Sequence, residues 1–329
     1  MLIAEKKTAQ KLIERIEQIP LYAHAYAFVL NFEQDELSAT MDLLDFAEEH
    51  QLHGVCVGTD YGSKKSLKYA SRSALEHIKS YAEKRGLKIN LEVSSTSKEE
   101  VDSAVSVAQA LGVIDIRIYI RYEGRLSEVI KNGIQDLEYI AKSAEKNSLK
   151  FVLESHEVLK AHEIIEIIKK IDSPRVRVLF DFGNMINANE EPLDALKIMS
   201  PYISQVHLKG VKKKKKGSGY GQVGIRSARG NFPHKDMLYN LLLLGESEPQ
   251  VKCYGLLQQV GYYSPPYRFD NEGADPIIPY RETSKTYLDE NNSPEEALLA
   301  ERKNAYKQVK NVRRLLKELR TEAELFLST

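Results

Sequence analysis

The sequence is short of cysteine, has no excess charge of either sign, and contains no apolar run long enough to enter a bilayer. Two cysteines in 329 residues exclude a disulfide scaffold. Cys56 and Cys253 lie in the apolar runs "HGVCVGT" and "KCYGLLQQ", which makes them reduced core residues of a cytoplasmic protein. Lys+Arg and Asp+Glu both number 47, so no global field draws the chain to nucleic acid or to an anionic membrane. The apolar stretches are strand-sized, far below the ~20 residues needed to span a bilayer. The N-terminus, "MLIAEKKTAQ", lacks the apolar core of an export signal. Also missing is a glycine-rich phosphate loop: the first apolar run continues as "VLNFEQDE", which argues against an open dinucleotide-binding sheet.

What is present is a repeated alternation. Eight apolar, β-rich runs stand at 25–30, 53–59, 87–93, 114–120, 149–155, 176–182, 205–210 and 252–259. Between them lie segments with helical spacing, such as Val101, Ala104, Val105, Ala108 and Leu111. That helix is expected to open with a Ser97–Glu100 capping box and to stop at Gly112, and the last helix opens at Ser293 in "SPEE". Strands alternating with helices imply parallel pairing through helical crossovers. Eight such units over residues 1–329 predict one α/β domain, a single (β/α)8 TIM barrel. A helix over about 5–18 would flank or plug its lower end. The segment 260–292, rich in Tyr, Pro and Gly, is expected as a long loop after strand 8, serving as a lid or as a contact in a homo-oligomer.

In such a barrel the chemistry sits where strands end. "FVLES" ends in a carboxylate at Glu154, "VLFD" at Asp181, and "VHLK" carries His207. Each follows an apolar residue, namely Leu153, Phe180 and Val206, so alternation turns the polar side chain toward the barrel axis. Three converging O, O and N donors suit one divalent metal ion: Mn²⁺, Mg²⁺, Co²⁺ or Zn²⁺.

"FVLESH", "VLFDFGN" and "VHLKG" resemble the signatures of strands five to seven in the xylose isomerase-like TIM barrels, and "GNFPHKDML" (230–238) resembles the segment opening their seventh helix. The resemblance implies metal-dependent enediolate chemistry on a sugar or sugar acid, of the isomerase or epimerase type. It also implies a glutamate ligand at the end of strand eight. Here "GLLQQ" has no carboxylate, and the phase rule selects Gln258 over Gln259 for that position. An amide ligand carries no charge and cannot act as a base. This keeps two alternatives open: a decarboxylase or lyase acting on a β-keto sugar acid, and a non-catalytic sugar-binding protein with a degraded metal site. The endonuclease branch fits poorly, since Asn184 stands where a histidine is expected and no Asp-x-His follows His207.

Glu154, Lys209 and His156 are the candidate catalytic groups, with Lys209 or His156 supplying a proton. Asn184, Arg226, Arg229, Arg121 and Asp60 are candidate substrate contacts, Arg226 and Arg229 for an anionic group and Arg121 and Asp60 for sugar hydroxyls. The run "VKKKKKGSGYG" (211–221) reads as a solvated, mobile loop at the mouth. The expected partner is a small carbohydrate or sugar acid.

Overall fold

The computed structural model describes residue 3 and residues 5–226, 232–280 and 293–329. Eight strands close into a barrel: β1 (Leu21–His24), β2 (Gly54–Gly58), β3 (Lys88–Glu92), β4 (Asp115–Ile118), β5 (Lys150–Glu154), β6 (Val176–Asp181), β7 (Ile203–Leu208) and β8 (Cys253–Leu256). All neighbours pair in parallel, and β1 joins β8 to β2 to complete the ring. The chain is therefore a TIM (β/α)8 barrel. The outward residues Leu153, Phe180 and Val206 are buried against the surrounding helices, as alternation requires.

The first strand does not lie over 25–30. It is Leu21–His24, after which Ala25–Phe28 forms a 3₁₀ turn and Val29–Gln34 an α-helix. The cause is local: His24 Nδ1 accepts the Tyr26 amide at 3.0 Å and turns the chain out of the strand. Glu301, on the C-terminal helix Pro294–Ser328, then takes the Leu30 amide at 3.0 Å. The correction matters for function because it sets His24 at the end of β1, within the mouth.

The lysine run is a hairpin, not a loop. Val211–Lys216 pairs antiparallel with Gly219–Gly224, and Tyr263–Ser264 adds a third short strand. Two of its lysines are anchored: Lys213 pairs with Glu191, and the Lys214 ammonium lies 4.9 Å from the centre of the Tyr263 ring. Between the two ends, the segment after β8 also contributes Ile277–Ile278, which pairs with Gly124–Arg125 after β4. The remainder of the 260–292 segment, from 281 on, lies outside the described residues.

The N-terminal helix Lys6–Glu17 flanks the barrel beside the C-terminal helix. Ser293 forms its expected capping box with Glu296, whereas Ser97 caps by backbone geometry alone, with no side-chain hydrogen bond. Gln308, from the C-terminal helix, donates to the carbonyls of Leu208 (2.7 Å) and Leu257 (3.1 Å), tying the exits of β7 and β8 together. No helix among the described residues is long and apolar enough to cross a membrane.

Candidate metal and carbohydrate site

Glu154, Asp181 and His207 converge at the exits of β5, β6 and β7, all buried. His207 Nδ1 lies 3.4 Å from Glu154 Oε1 and 3.5 Å from Asp181 Oδ2. The other ring nitrogen, Nε2, is 3.1 Å from Glu92 Oε1. Glu92 also takes His24 Nε2 at 3.0 Å, and His24 must present a proton there because its Nδ1 already accepts the Tyr26 amide. Glu92 is thus an anchor that turns His207 Nδ1 toward the two carboxylates, the orientation of a metal-ligating histidine once that nitrogen gives up its proton. Gly255 makes room for this pair: a Cβ there would lie 3.2 Å from the His207 ring and 3.4 Å from that of His24.

Arg117 is the member that the sequence reading missed. It is 3% exposed, on β4, with its guanidinium between two acids: it donates to Glu92 and places Nε 3.2 Å from Glu154 Oε2. Lys209 Nζ stands 2.9 Å from Asn184 Oδ1 and 3.0 Å from Asp181 Oδ2. Gly183 allows this approach, since a Cβ would meet the Lys209 Cε at 2.3 Å. Asn184 in turn donates to Glu154 Oε1 at 3.0 Å and accepts from Gln222 of the hairpin at 3.0 Å. The hairpin is therefore part of the site's scaffold.

These charges set one another. Burial alone would raise the Glu92 carboxyl, but Arg117, His24 and His207 hold it well below the usual range. Burial likewise opposes ionisation of Asp181, and Lys209 and His207 bring it down. Burial would depress the His207 imidazole, yet Glu92, Asp181 and Glu154 raise it well above its ordinary value. His24 is lowered, by burial first. Three carboxylates thus face Arg117, Lys209 and His207.

A divalent cation fits this group of donors. Glu154 Oε2, Asp181 Oδ2 and His207 Nδ1 are buried atoms with no hydrogen-bond partner, and the three residues offer ligand atoms within 4.8 Å of one another. Apart from the ion pairs with Arg117, Lys209 and His207, nothing saturates these lone pairs, and an ion is a usual occupant of such a group.

Gln258 does not join them. Gly255 faces the barrel axis, so alternation turns Leu257 and Gln259 inward and Gln258 outward. The Gln258 amide donates to the Ile225 carbonyl, and the cavity wall contains Leu257 and Gln259. The apolar-before-polar rule that worked for β5 to β7 fails here because the run is apolar on both faces. Gln258→Glu is accordingly expected to leave metal affinity unchanged. It should destabilise the fold by about 1–3 kcal/mol, since the Ile225 carbonyl loses its donor. Chelator titration and urea unfolding of the same variant check both halves.

The cavity above the cluster, about 110 Å³, is also walled by Arg121, His156, Asn184 and Lys209. His156 stacks on Tyr119, ring centres 3.9 Å apart. Two unforeseen members are Glu157, buried and with φ +55°, and Tyr262, whose hydroxyl is 3.2 Å from Glu157 Oε1. Of the remaining expected contacts, Asp60 is exposed and turns back to the Gly62 amide. Arg226 is exposed and does not line the cavity. Arg229 lies outside the described residues, as do Gly230 and Asn231 of the 230–238 segment.

The family profile described as xylose isomerase-like TIM barrel matches residues 93–245, which include β4 to β7 and all three donors. The chain belongs to the xylose isomerase-like TIM barrel family. It is 39% identical over 320 residues, 97% of this chain and 98% of the other, to the uncharacterized protein YihM of Escherichia coli K12. A more distant relative is the 3-oxo-isoapionate decarboxylase of Pectobacterium atrosepticum, 22% identical over 47% of this chain and 55% of that enzyme. Among solved structures, the D-psicose 3-epimerase of Clostridium cellulolyticum H10 superposes with a TM-score of 0.62 at 15% identity, covering 91% of this chain and 99% of that one. The zinc-binding IOLI protein gives 0.60 at 14% identity, over 92% and 99%. At these identities the structural likeness concerns the fold.

One further element packs behind the cavity wall. Glu36, buried at the start of the helix Glu36–Glu49, accepts the Tyr61 amide at 2.6 Å and the Ser63 amide at 3.2 Å. It so fixes the turn after β2, whose Tyr61 ring packs edge-on to Tyr26 of the cavity wall. Burial pushes its carboxyl up to about 7 from an ordinary 4.5, against the pull of the amides. Between those values the folded chain keeps a proton that the unfolded chain has lost. The stability this group contributes is therefore full below pH 4.5, falls as pH rises to about 7, and stays low above it. Glu36→Gln is expected to remove that slope, measured by urea unfolding at about pH 5 and about pH 8.

Proposed function

We propose that the protein is a divalent-metal-dependent enzyme acting on a sugar or sugar acid by enediolate chemistry, of the isomerase or epimerase type. The observation that carries this reading is the convergence of buried donor atoms from Glu154, Asp181 and His207 within 4.8 Å of one another. A cation held by these residues would supply Lewis acidity toward a carbonyl and a neighbouring hydroxyl oxygen. The chain's own groups do the rest. Glu154 is a carboxylate at the cavity wall, positioned by Asn184, and can take a proton from a carbon beside a carbonyl. The Lys209 ammonium faces the same space and neutralises negative charge that develops on substrate oxygen. Glu157 with Tyr262, or His156, supplies a second proton-transfer group that β8 does not.

A decarboxylase or lyase reading has its own support. The segment that follows β8 presents Leu257 and Gln259 instead of a carboxylate, and Arg117 and Lys209 line the same cavity. That balance favours an anionic substrate and requires only one acid. The two readings part in one experiment: metal content by elemental analysis, then incubation with a ketose and sugar-acid panel in deuterated water. Deuterium entering beside a carbonyl without loss of CO₂ supports isomerase or epimerase chemistry, and CO₂ release, with deuterium in the place of the lost carboxylate, supports the decarboxylase. Either activity should vanish in Glu154→Gln. Absence of metal and of both activities would leave only a binding protein.

A further inference from the structure

A second cavity, about 300 Å³, adjoins the first and is nearly three times its volume. The two share Arg121 and His156 as a common wall. The outer one is otherwise bounded by Ile120, Tyr122, Glu123, Val158, Pro279 and Tyr280, a mainly apolar and aromatic lining with one carboxylate, unlike the charged lining within. Its roof is built, since Ile277–Ile278 pairs with Gly124–Arg125. The Leu126 amide also donates to the Pro276 carbonyl at 2.9 Å, and Asp275 Oδ1 accepts the Ser127 amide at 2.8 Å. The Tyr119–His156 stack gives the seam a flat aromatic edge. Arg121, at that seam, makes no hydrogen bond or ion pair among the described residues. A guanidinium there, between a polar chamber and an apolar one, is placed to hold an oxygen that joins two unlike halves of one molecule.

We propose that the outer chamber binds an apolar, ring-bearing substituent of the substrate. The molecule that reacts is then a sugar or sugar acid that keeps its carbonyl free and carries the ring on another oxygen, such as an aryl ether of a ketose, and not an unsubstituted monosaccharide; glycosides serve as binding probes of the two chambers. The proposal rests on the reading of the inner cavity as the sugar site and adds the class of substrate. The polar half occupies the small chamber beside Glu154 and Lys209, the linking oxygen meets Arg121, and the substituent packs against Tyr122 and Tyr280.

The test is isothermal calorimetry on the metal-loaded protein with matched ligands. These are phenyl and methyl β-glucosides, galactosides and glucuronides, the free sugars, and cellobiose. At least one phenyl ligand is expected to bind about tenfold or more tightly than its methyl counterpart, the gain expected for burying a ring. Tyr280→Ala, at an exposed position, should reduce that gain, and Val158→Trp, which fills the chamber, should abolish it. Neither should change the affinity for the methyl ligand. Equal affinities of phenyl and methyl ligands, no phenyl ligand binding at all, or a preference for cellobiose would each overturn the proposal. The two readings fail separately. Metal and free-sugar binding without a phenyl gain removes the outer chamber's role and leaves the proposed function standing. A phenyl gain that persists in a protein unable to hold metal does the reverse.

Discussion

Arg117→Met is expected to destabilise the protein by about 3–5 kcal/mol, the usual consequence of removing one partner from a buried ion pair. The guanidinium bridges Glu92 and Glu154 and also donates to the Val93 carbonyl at 3.3 Å. Methionine fills similar volume but leaves two almost fully buried carboxylates without their counterion. Lysine should not rescue the loss, because a single ammonium cannot span both acids as a planar fork does. The deficit should also depend on pH in a definite direction. In the native protein Glu92 is held well below its ordinary 4.5, with Arg117 the foremost influence against burial. Its contribution is therefore present above pH 4.5 and lost as pH falls through the lowered value. Without Arg117 that contribution is absent, so wild type and variant should converge in acid. Urea unfolding across about pH 3–7 reads this out. A variant as stable as wild type at neutral pH would mean that the acids are not buried around this side chain.

Arg117 also shows where the sequence could be read and where it was passed over. The ligand strands were legible because one polar residue closes an otherwise apolar run, and the phase at Glu154, Asp181 and His207 points all three inward. The same signal stands in "IDIRIYI". Its arginine lies between two isoleucines, on the axis-facing phase, and a charge there requires buried partners. Glu92, at the end of β3, is that partner. His24 was hidden for another reason. The apolar run at 25–30 has β-forming residues, but the histidine's own hydrogen bond to the Tyr26 amide converts it to a turn, and such tertiary and capping effects override propensity. At β8 the cue was a missing one. With Leu256 and Leu257 adjacent, period-two patterning has no contrast, and only the close approach of Gly255 to His207 reveals which residues face inward. The lysine hairpin misled through composition: five like charges suggest solvent, yet Gln222 on its second strand supports Asn184 inside the site.

The proposed metal role concentrates on Asp181, where structural and chemical contributions can be separated. Its Oδ1 accepts the Asn184 amide at 3.1 Å and caps the short helix Phe182–Asn187, while Oδ2 has no hydrogen bond and faces His207 and Lys209. Asp181→Asn keeps an oxygen for the cap and removes the charge. Asp181→Ala removes both, at a further cost of about 1 kcal/mol for the cap, and strands the Lys209 ammonium without its acid. Metal binding should fall in both. Opposite charges a few Å apart interact by roughly 4 kcal/mol at an effective dielectric of 20. Even heavily discounted, that is a loss of about tenfold or more in affinity, readable by chelator competition and elemental analysis. The asparagine variant is the sharper instrument because it keeps the cap; both variants leave Lys209 without its acid, so metal is measured at a urea concentration where each is shown to be folded. If Asp181→Asn retained full metal stoichiometry and affinity, Asp181 would be no more than a helix cap and a counterion to Lys209. The unbonded atoms of Glu154 and His207 would then need a different explanation.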